Sequence, residues 1–339
     1  MSRPDALRPS PIVPTVDFDR DGVQHGCLRL PYSRDDSAWG SIMIPMTVVK
    51  RGEGPTALLT GGNHGDEYEG PIALFELARL LTAAEVTGRV IIVPAMNYPA
   101  FRAGTRTSPI DRGNLNRSFP GRPDGTPTEK IADYFQRHLL PMADVVVDLH
   151  SGGRTLAFVP FAATHARADA DQERRSLAAV AAFGAPYSIR MREIDSVGMY
   201  DTAAEELGRV FVTTELGGGG TATAHTVGLA RRGIRSVLGH AGILGGPIDR
   251  PPTVQLDMPT DACFVFSESD GLIEPCVGLG EAVRRGEVLA RVYGTDRTGV
   301  APAAYPAGLD GILIGRYFPG LVKRGDCLAV IGVPVAASR

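Results

Sequence analysis

Four short apolar runs recur between segments of helical character: Ala57-Leu58-Leu59, Val90-Ile91-Ile92-Val93, Val145-Val146-Val147-Asp148-Leu149 and Val210-Phe211-Val212. No other feature restricts the fold as much. Runs of this kind suit strands buried on both faces, and helices between them carry the crossovers of a largely parallel sheet. The expectation is an α/β fold from about residue 50 to 245, a sheet with helices on both faces. Gly70-Pro71 leads into a helix from Ile72 to Leu81 with proline at its first position. Thr126-Pro127-Thr128-Glu129 has capping-box spacing ahead of a helix from Ile131 to Leu140. A third helix, Asp171 to Phe183, ends at Gly184, where a left-handed cap is cheap.

The pattern differs at both ends. Gly22 to Lys50 reads as strands and turns, so residues 1–50 are expected to pack on a catalytic domain at 51–250. After Gly245-Gly246-Pro247 short glycine-punctuated strands suggest a small β module at 251–339. Within it, residues 280–292 are echoed by residues 320–331, as in a pseudo-symmetric sandwich. These phrases resemble the half-motifs of the biotinyl/lipoyl carrier fold. The turn around Asp296-Arg297-Thr298 offers no lysine to modify, so the module is expected to pack, to cover an active site or to join copies in a homo-oligomer.

Composition removes several function classes. A net charge of -3 lacks the basic excess that neutralises phosphates, so no nucleic-acid partner is expected. No apolar run approaches the roughly 20 residues of a spanning helix, so no membrane role is expected. The proline-rich start, Met1 to Pro14, lacks the apolar centre of a secretory signal, which makes a cytoplasmic location the default. Cys27, Cys263, Cys276 and Cys327 have no CxxC spacing and read as buried thiols.

Chemistry gathers at the ends of the apolar runs. His64 and Glu67, in Asn63-His64-Gly65-Asp66-Glu67, follow the first run and precede a helix. A His and a Glu three apart are common and mean little alone. His150, however, closes the third run, and carboxyl ends of strands are where open α/β sheets form their crevices. Two histidines and a carboxylate make a catalytic zinc set that leaves a position for water or substrate, and imidazole disfavours magnesium. Glu215, ending the fourth run, stands where a general base is needed. A structural metal would ordinarily be closed by four protein ligands, which weighs against the alternative of a non-catalytic binding protein.

The phrases Asn63-His64-Gly65-Asp66-Glu67, Asn114-Leu115-Asn116-Arg117-Ser118-Phe119, Asp148-Leu149-His150 and Thr214-Glu215-Leu216-Gly217 resemble the succinylglutamate desuccinylase/aspartoacylase family. The resemblance implies a zinc carboxypeptidase-like mixed sheet and one Zn2+ on His64, Glu67 and His150. It also implies Glu215 as general base, Asn116 and Arg117 on the substrate's free carboxylate, and Arg106 polarising the scissile carbonyl. Arg112 lies closer to Arg117 and competes with Arg106 for that role. The family usually has aspartate where Asn114 stands. The phrases Val16 to Asp19, Ser33 to Gly40 and Gly198 to Ala203 are similar to the branch that deacetylates Nα-acetyl-2,4-diaminobutyrate in ectoine breakdown. The implied partner is thus a small N-acylated amino acid, with other acyl-amino-acid deacylation and short-peptide carboxypeptidase activity as rivals. Asp195 or Asp201 could meet the side-chain amine. Of the remaining histidines, His25, His138, His165, His225 and His240, only His225 is placed to approach the cleft.

Overall fold

The structure is a computed structural model and describes residues 8–192, 194–246 and 251–335. Residues 1–7 and the expected domain boundary near residue 250 lie outside the described residues.

In chain order the strands are β1 (Val13–Pro14), β2 (Gly22–Pro31), β3 (Ser41–Arg51), β4 (Thr56–Gly61), β5 (Gly88–Val93), β6 (Val145–His150), β7 (Leu156–Phe158), β8 (Phe161–His165), β9 (Tyr187–Met191) and β10 (Val210–Glu215). The helices are α1 (Glu69–Leu80), α2 (Tyr98–Ala103), α3 (Pro127–Tyr134), α4 (Ala170–Phe183), α5 (Tyr200–Glu206) and α6 (Ala224–His240). All four apolar runs are strands, and together they form the parallel centre of the sheet, in the order β5-β4-β6-β10. The flanks are mixed. The hairpin of β2 and β3 joins β5 antiparallel, and β8 runs antiparallel to β10.

Alternation along each strand sends neighbouring side chains to opposite faces. Leu59, Val147 and Val212 meet the helices α1, α4 and α6 on one face. Leu58, Val146 and Phe211 meet the β2–β3 hairpin, α3 and α5 on the other. Helices therefore cover both faces.

Local details refine the sequence reading. Helix α1 starts at Glu69, which makes Pro71 its third residue rather than its first. The first turn tolerates this, because its N–H groups have no intrahelical acceptor to lose. The capping box is formed, with Thr126 N–H donating to Glu129 Oε2 at 2.7 Å and Glu129 N–H to Thr126 Oγ1 at 3.3 Å. Helix α4 ends at Gly184, whose φ is 69°. Cys27 and Cys263 are buried and Cys327 partly so, but Cys276 is exposed just past the end of a strand, contrary to expectation. No helix among the described residues is long and apolar enough to cross a membrane.

The C-terminal strands are β11 (Val254–Asp257), β12 (Phe264–Phe266), β13 (Gly271–Pro275), β14 (Ala282–Val283), β15 (Val288–Tyr293), β16 (Ala303–Pro306), β17 (Gly311–Tyr317), β18 (Leu321–Val322) and β19 (Cys327–Pro334). The internal echo has a structural counterpart. The first copy begins in β14, paired with β17, and ends in β15, within the sheet β16-β15-β13-β18. The second begins in β18, paired with β13, and ends in β19, paired with β17. Each copy thus crosses between the two layers in opposite senses. Strand β11 pairs with both β9 and β19 and makes the large sheet continuous into this module.

One close approach fixes the loop that carries His64. A Cβ on Gly65 would lie 2.0 Å from the carbonyl carbon of Ala100 and 2.3 Å from the Phe101 nitrogen, both backbone atoms of α2. Backbone cannot swing aside as a side chain can. Gly65→Ala should therefore destabilise the fold by about 2–3 kcal/mol, read as a lowered urea midpoint. An unchanged midpoint would mean that the α2 segment yields.

Candidate active site

His64 and Glu67 lie in the loop after β4, while His150 and Glu215 are the last residues of β6 and β10. His150 and Glu215 stand directly opposite each other in the parallel register. Gly62, at φ 63°, supplies the turn that a branched residue would resist. His64, Glu67 and His150 are all buried, and one candidate donor atom from each lies within 4.8 Å of the others. The two oxygens of Glu67 divide between the rings: Oε1 is 2.7 Å from His64 Nδ1 and Oε2 is 2.8 Å from His150 Nδ1. Burial would raise the Glu67 carboxyl, but the two imidazoles hold it below the usual carboxylate range. The Ser151 N–H adds a bond to Oε2 at 3.2 Å.

The far side of each ring is also engaged. His150 Nε2 meets Asp148 Oδ2 at 2.7 Å, and His64 Nε2 meets Asn114 Oδ1 at 3.2 Å. The Asn114 oxygen is identified by a second donor, the Asn116 N–H at 3.1 Å. With the proton kept on Nε2 by these acceptors, each ring would offer its Nδ1 lone pair to a metal in place of the contact with Glu67. Asp148 also accepts from Thr60 Oγ1 at 2.7 Å and Asn63 Nδ2 at 3.0 Å. Burial opposes its charge, while His150 and these donors lower its pKa. Asp148, Thr60, Asn63 and Asn114 were not assigned roles from sequence. The signal was available in part: an acid at position 148, inside an apolar run and two residues before His150, faces the same side of the strand as that histidine.

Glu215 has one enclosed oxygen, Oε2, without a hydrogen-bond partner among the described residues. Burial raises its carboxyl well above the usual range, and neighbouring Glu67 adds to the effect. Arg106 reaches the site, its Nη1 3.3 Å from His64 Nδ1 and 3.8 Å from Glu67 Oε1. Arg112, with φ 57°, is not among the residues lining the cleft. Asn116 and Arg117 do line it. The Asn116 oxygen is taken up by the Tyr200 N–H at 2.9 Å, which leaves its amide nitrogen for other partners.

These groups line a cavity of about 430 Å³. Asp195 and Asp201 also border it, whereas His225 is exposed at the start of α6 and does not. The lining also includes apolar side chains, and the C-terminal module supplies several of them in Met258, Phe264, Ile314 and Val330. The module therefore forms part of the cleft.

Residues 53–241 match the Succinylglutamate desuccinylase/Aspartoacylase catalytic domain. The chain belongs to the succinylglutamate desuccinylase/aspartoacylase family. Similarity within this family extends over nearly the whole chain. It is 60% identical to an N-alpha-acetyl-L-2,4-diaminobutyric acid deacetylase of Halomonas elongata, with 97% of each chain covered. A product-bound structure of the ectoine utilization protein EutE from Ruegeria pomeroyi shares 65% identity and a TM-score of 0.95, covering 96% of this chain and 99% of that one. A succinylglutamate desuccinylase structure from Silicibacter shares 63% identity and a TM-score of 0.93, covering 97% and 100%.

The donor set suits the zinc that the family resemblance implies. Two imidazole nitrogens and a carboxylate converge, and each ring is steadied from behind by an oxygen acceptor, as ligating histidines usually are.

Proposed function

We propose that this protein hydrolyses the amide of Nα-acetyl-L-2,4-diaminobutyrate, releasing acetate and L-2,4-diaminobutyrate, with one zinc ion held by His64, Glu67 and His150. The observation that carries this reading is the meeting of that donor set with Glu215 and Arg106 at one end of a parallel sheet. The substrate follows from the extensive identity to the Halomonas deacetylase.

Zinc in this site supplies Lewis acidity toward a water molecule and an amide carbonyl. Glu215 takes the proton as water attacks and returns it to the departing α-nitrogen. Its raised pKa makes it a stronger base than an ordinary carboxylate. Arg106 faces the developing negative charge on the former carbonyl oxygen. That interaction is stronger in the transition state than in the ground state, and so lowers the barrier. Arg117 and the Asn116 amide hold the free carboxylate through charge-assisted hydrogen bonds. No covalent acyl-enzyme is required.

The test is a hydrolysis panel on the zinc-loaded protein. Release of the free α-amine should be fastest from Nα-acetyl-2,4-diaminobutyrate, ahead of release of the amine and acyl acid from the isomer acetylated on the side-chain nitrogen, N-acetylaspartate and N-succinylglutamate, the last of which would yield succinate. Faster turnover of either of the last two would assign a different substrate. Chelation should abolish turnover and added zinc should restore it, while activity that survives complete metal removal would sink the zinc assignment.

A further inference from the structure

The proposed substrate carries a side-chain ammonium besides its amide and carboxylate, and a cation drawn into a partly closed cleft needs a compensating anion. Among the described residues, the carboxylates lining the cleft are Glu67, Asp195, Asp201 and Glu215. Glu67 and Glu215 are engaged in metal binding and proton transfer by the reading above. Asp195 is exposed, and its Oδ1 accepts the Val197 N–H at 3.1 Å. Asp201 is only 4% exposed and still borders the cavity.

The setting of Asp201 links it to the carboxylate-binding side of the cleft. Gly198 O accepts the Phe119 N–H at 3.0 Å, and Asn116 Oδ1 accepts the Tyr200 N–H at 2.9 Å. A Cβ on Gly198 would lie 2.6 Å from the carbonyl oxygen of Arg117. The segment bearing Arg117 and the start of α5 are therefore packed as one unit, backbone against backbone. Asp201 itself is held in place: its Oδ1 accepts the Thr202 N–H at 2.5 Å, and His165 Nε2 stands 3.7 Å from Oδ2. A guanidinium and a carboxylate at a fixed spacing on one cleft complement a molecule with a carboxylate at one end and an ammonium at the other.

We infer that Asp201 receives the side-chain ammonium and, with Arg117, selects acylated diamino acids over acylated neutral ones. This rests on the deacetylase reading.

The test compares kcat/KM on Nα-acetyl-2,4-diaminobutyrate and on N-acetylnorvaline, which has a methyl group in place of the ammonium. The native protein should prefer the diamino substrate by about 10- to 100-fold, the range of a hydrogen bond to a charged group. Asp201→Asn should collapse that preference, chiefly through KM, whereas Asp195→Asn should keep it. Equal losses on both substrates, or collapse in the Asp195 variant instead, would overturn the assignment. Asp201→Glu adds a second reading by moving the charge inward by one methylene. It should shift preference toward the substrate one methylene shorter, Nα-acetyl-2,3-diaminopropionate, and no shift would count against Asp201. Native turnover without preference for the ammonium removes the role of Asp201 alone. No native turnover of either acetyl amide overturns the deacetylase reading with it.

Discussion

Glu215→Gln should lower kcat by about 10²- to 10⁴-fold, the usual range for losing a positioned general base, while zinc content stays at one per chain. Glutamine keeps the shape of the side chain and can still donate or accept a hydrogen bond. It cannot take a proton from water. Because Glu215 is not one of the three converging donors, the metal should remain bound. The substitution also replaces a carboxyl whose burial already disfavours charge, so the fold should not suffer. Metal analysis, acetate release and thermal unfolding on one preparation separate the possibilities. Near-native turnover with zinc present would remove Glu215 from the chemistry, and loss of zinc would place it among the ligands.

The parts of this site that were legible in the sequence are those tied to an apolar run. Val145 to Leu149 marks a strand, so His150 had to emerge at its carboxyl end, and Val210 to Thr214 does the same for Glu215. Register then brings the two side by side, a consequence of both strands starting level in a parallel pair. Strands β8 and β9 were harder to read. Phe161-Ala162-Ala163-Thr164-His165 is fully buried, yet its paired alanines carry little strand propensity. Tertiary packing against β10 decides its conformation, not local preference.

The choice between Arg106 and Arg112 was closed to sequence for another reason. Thr105 O accepts the Gly65 N–H at 3.0 Å, and this folds the 104–106 segment back beside His64. Asp111 instead turns toward α3, accepting from Thr128 N–H and Oγ1, both at 2.8 Å. Arg112, beside it, is not among the residues lining the cleft. Spacing along the chain records neither contact. Asn114 was obscured by expectation of an aspartate at its position. Its amide oxygen accepts from His64 Nε2, as the carboxylate implied by the resemblance would, so asparagine can keep the hydrogen bond without the charge.

That comparison sets up a pair of variants at Asp148, the charged counterpart behind His150. Asp148→Ala should weaken zinc affinity by about 10- to 100-fold, measured by competition with a chromophoric chelator. It should also destabilise the fold, since Thr60 Oγ1, Asn63 Nδ2 and His150 Nε2 all donate to this one buried carboxylate. Stranding such donors costs about 1–3 kcal/mol apiece. Asp148→Asn isolates the charge. With its oxygen toward Asn63 and His150, its amide can donate to Thr60 Oγ1, whose own proton has Val147 O at 3.4 Å. Most of the stability should return, whereas the loss of negative charge leaves His150 a poorer donor to metal. The acid limb supplies an independent check. The folded-state pKa of Asp148 lies below its ordinary value, so its contribution is full above the unfolded-state pKa and is lost as pH falls through the folded one. Below about pH 4, the ordinary aspartate value, the native protein should lose stability more steeply than Asp148→Asn. Parallel acid limbs, or an alanine variant with native zinc affinity, would show that His150 does not depend on the carboxylate behind it.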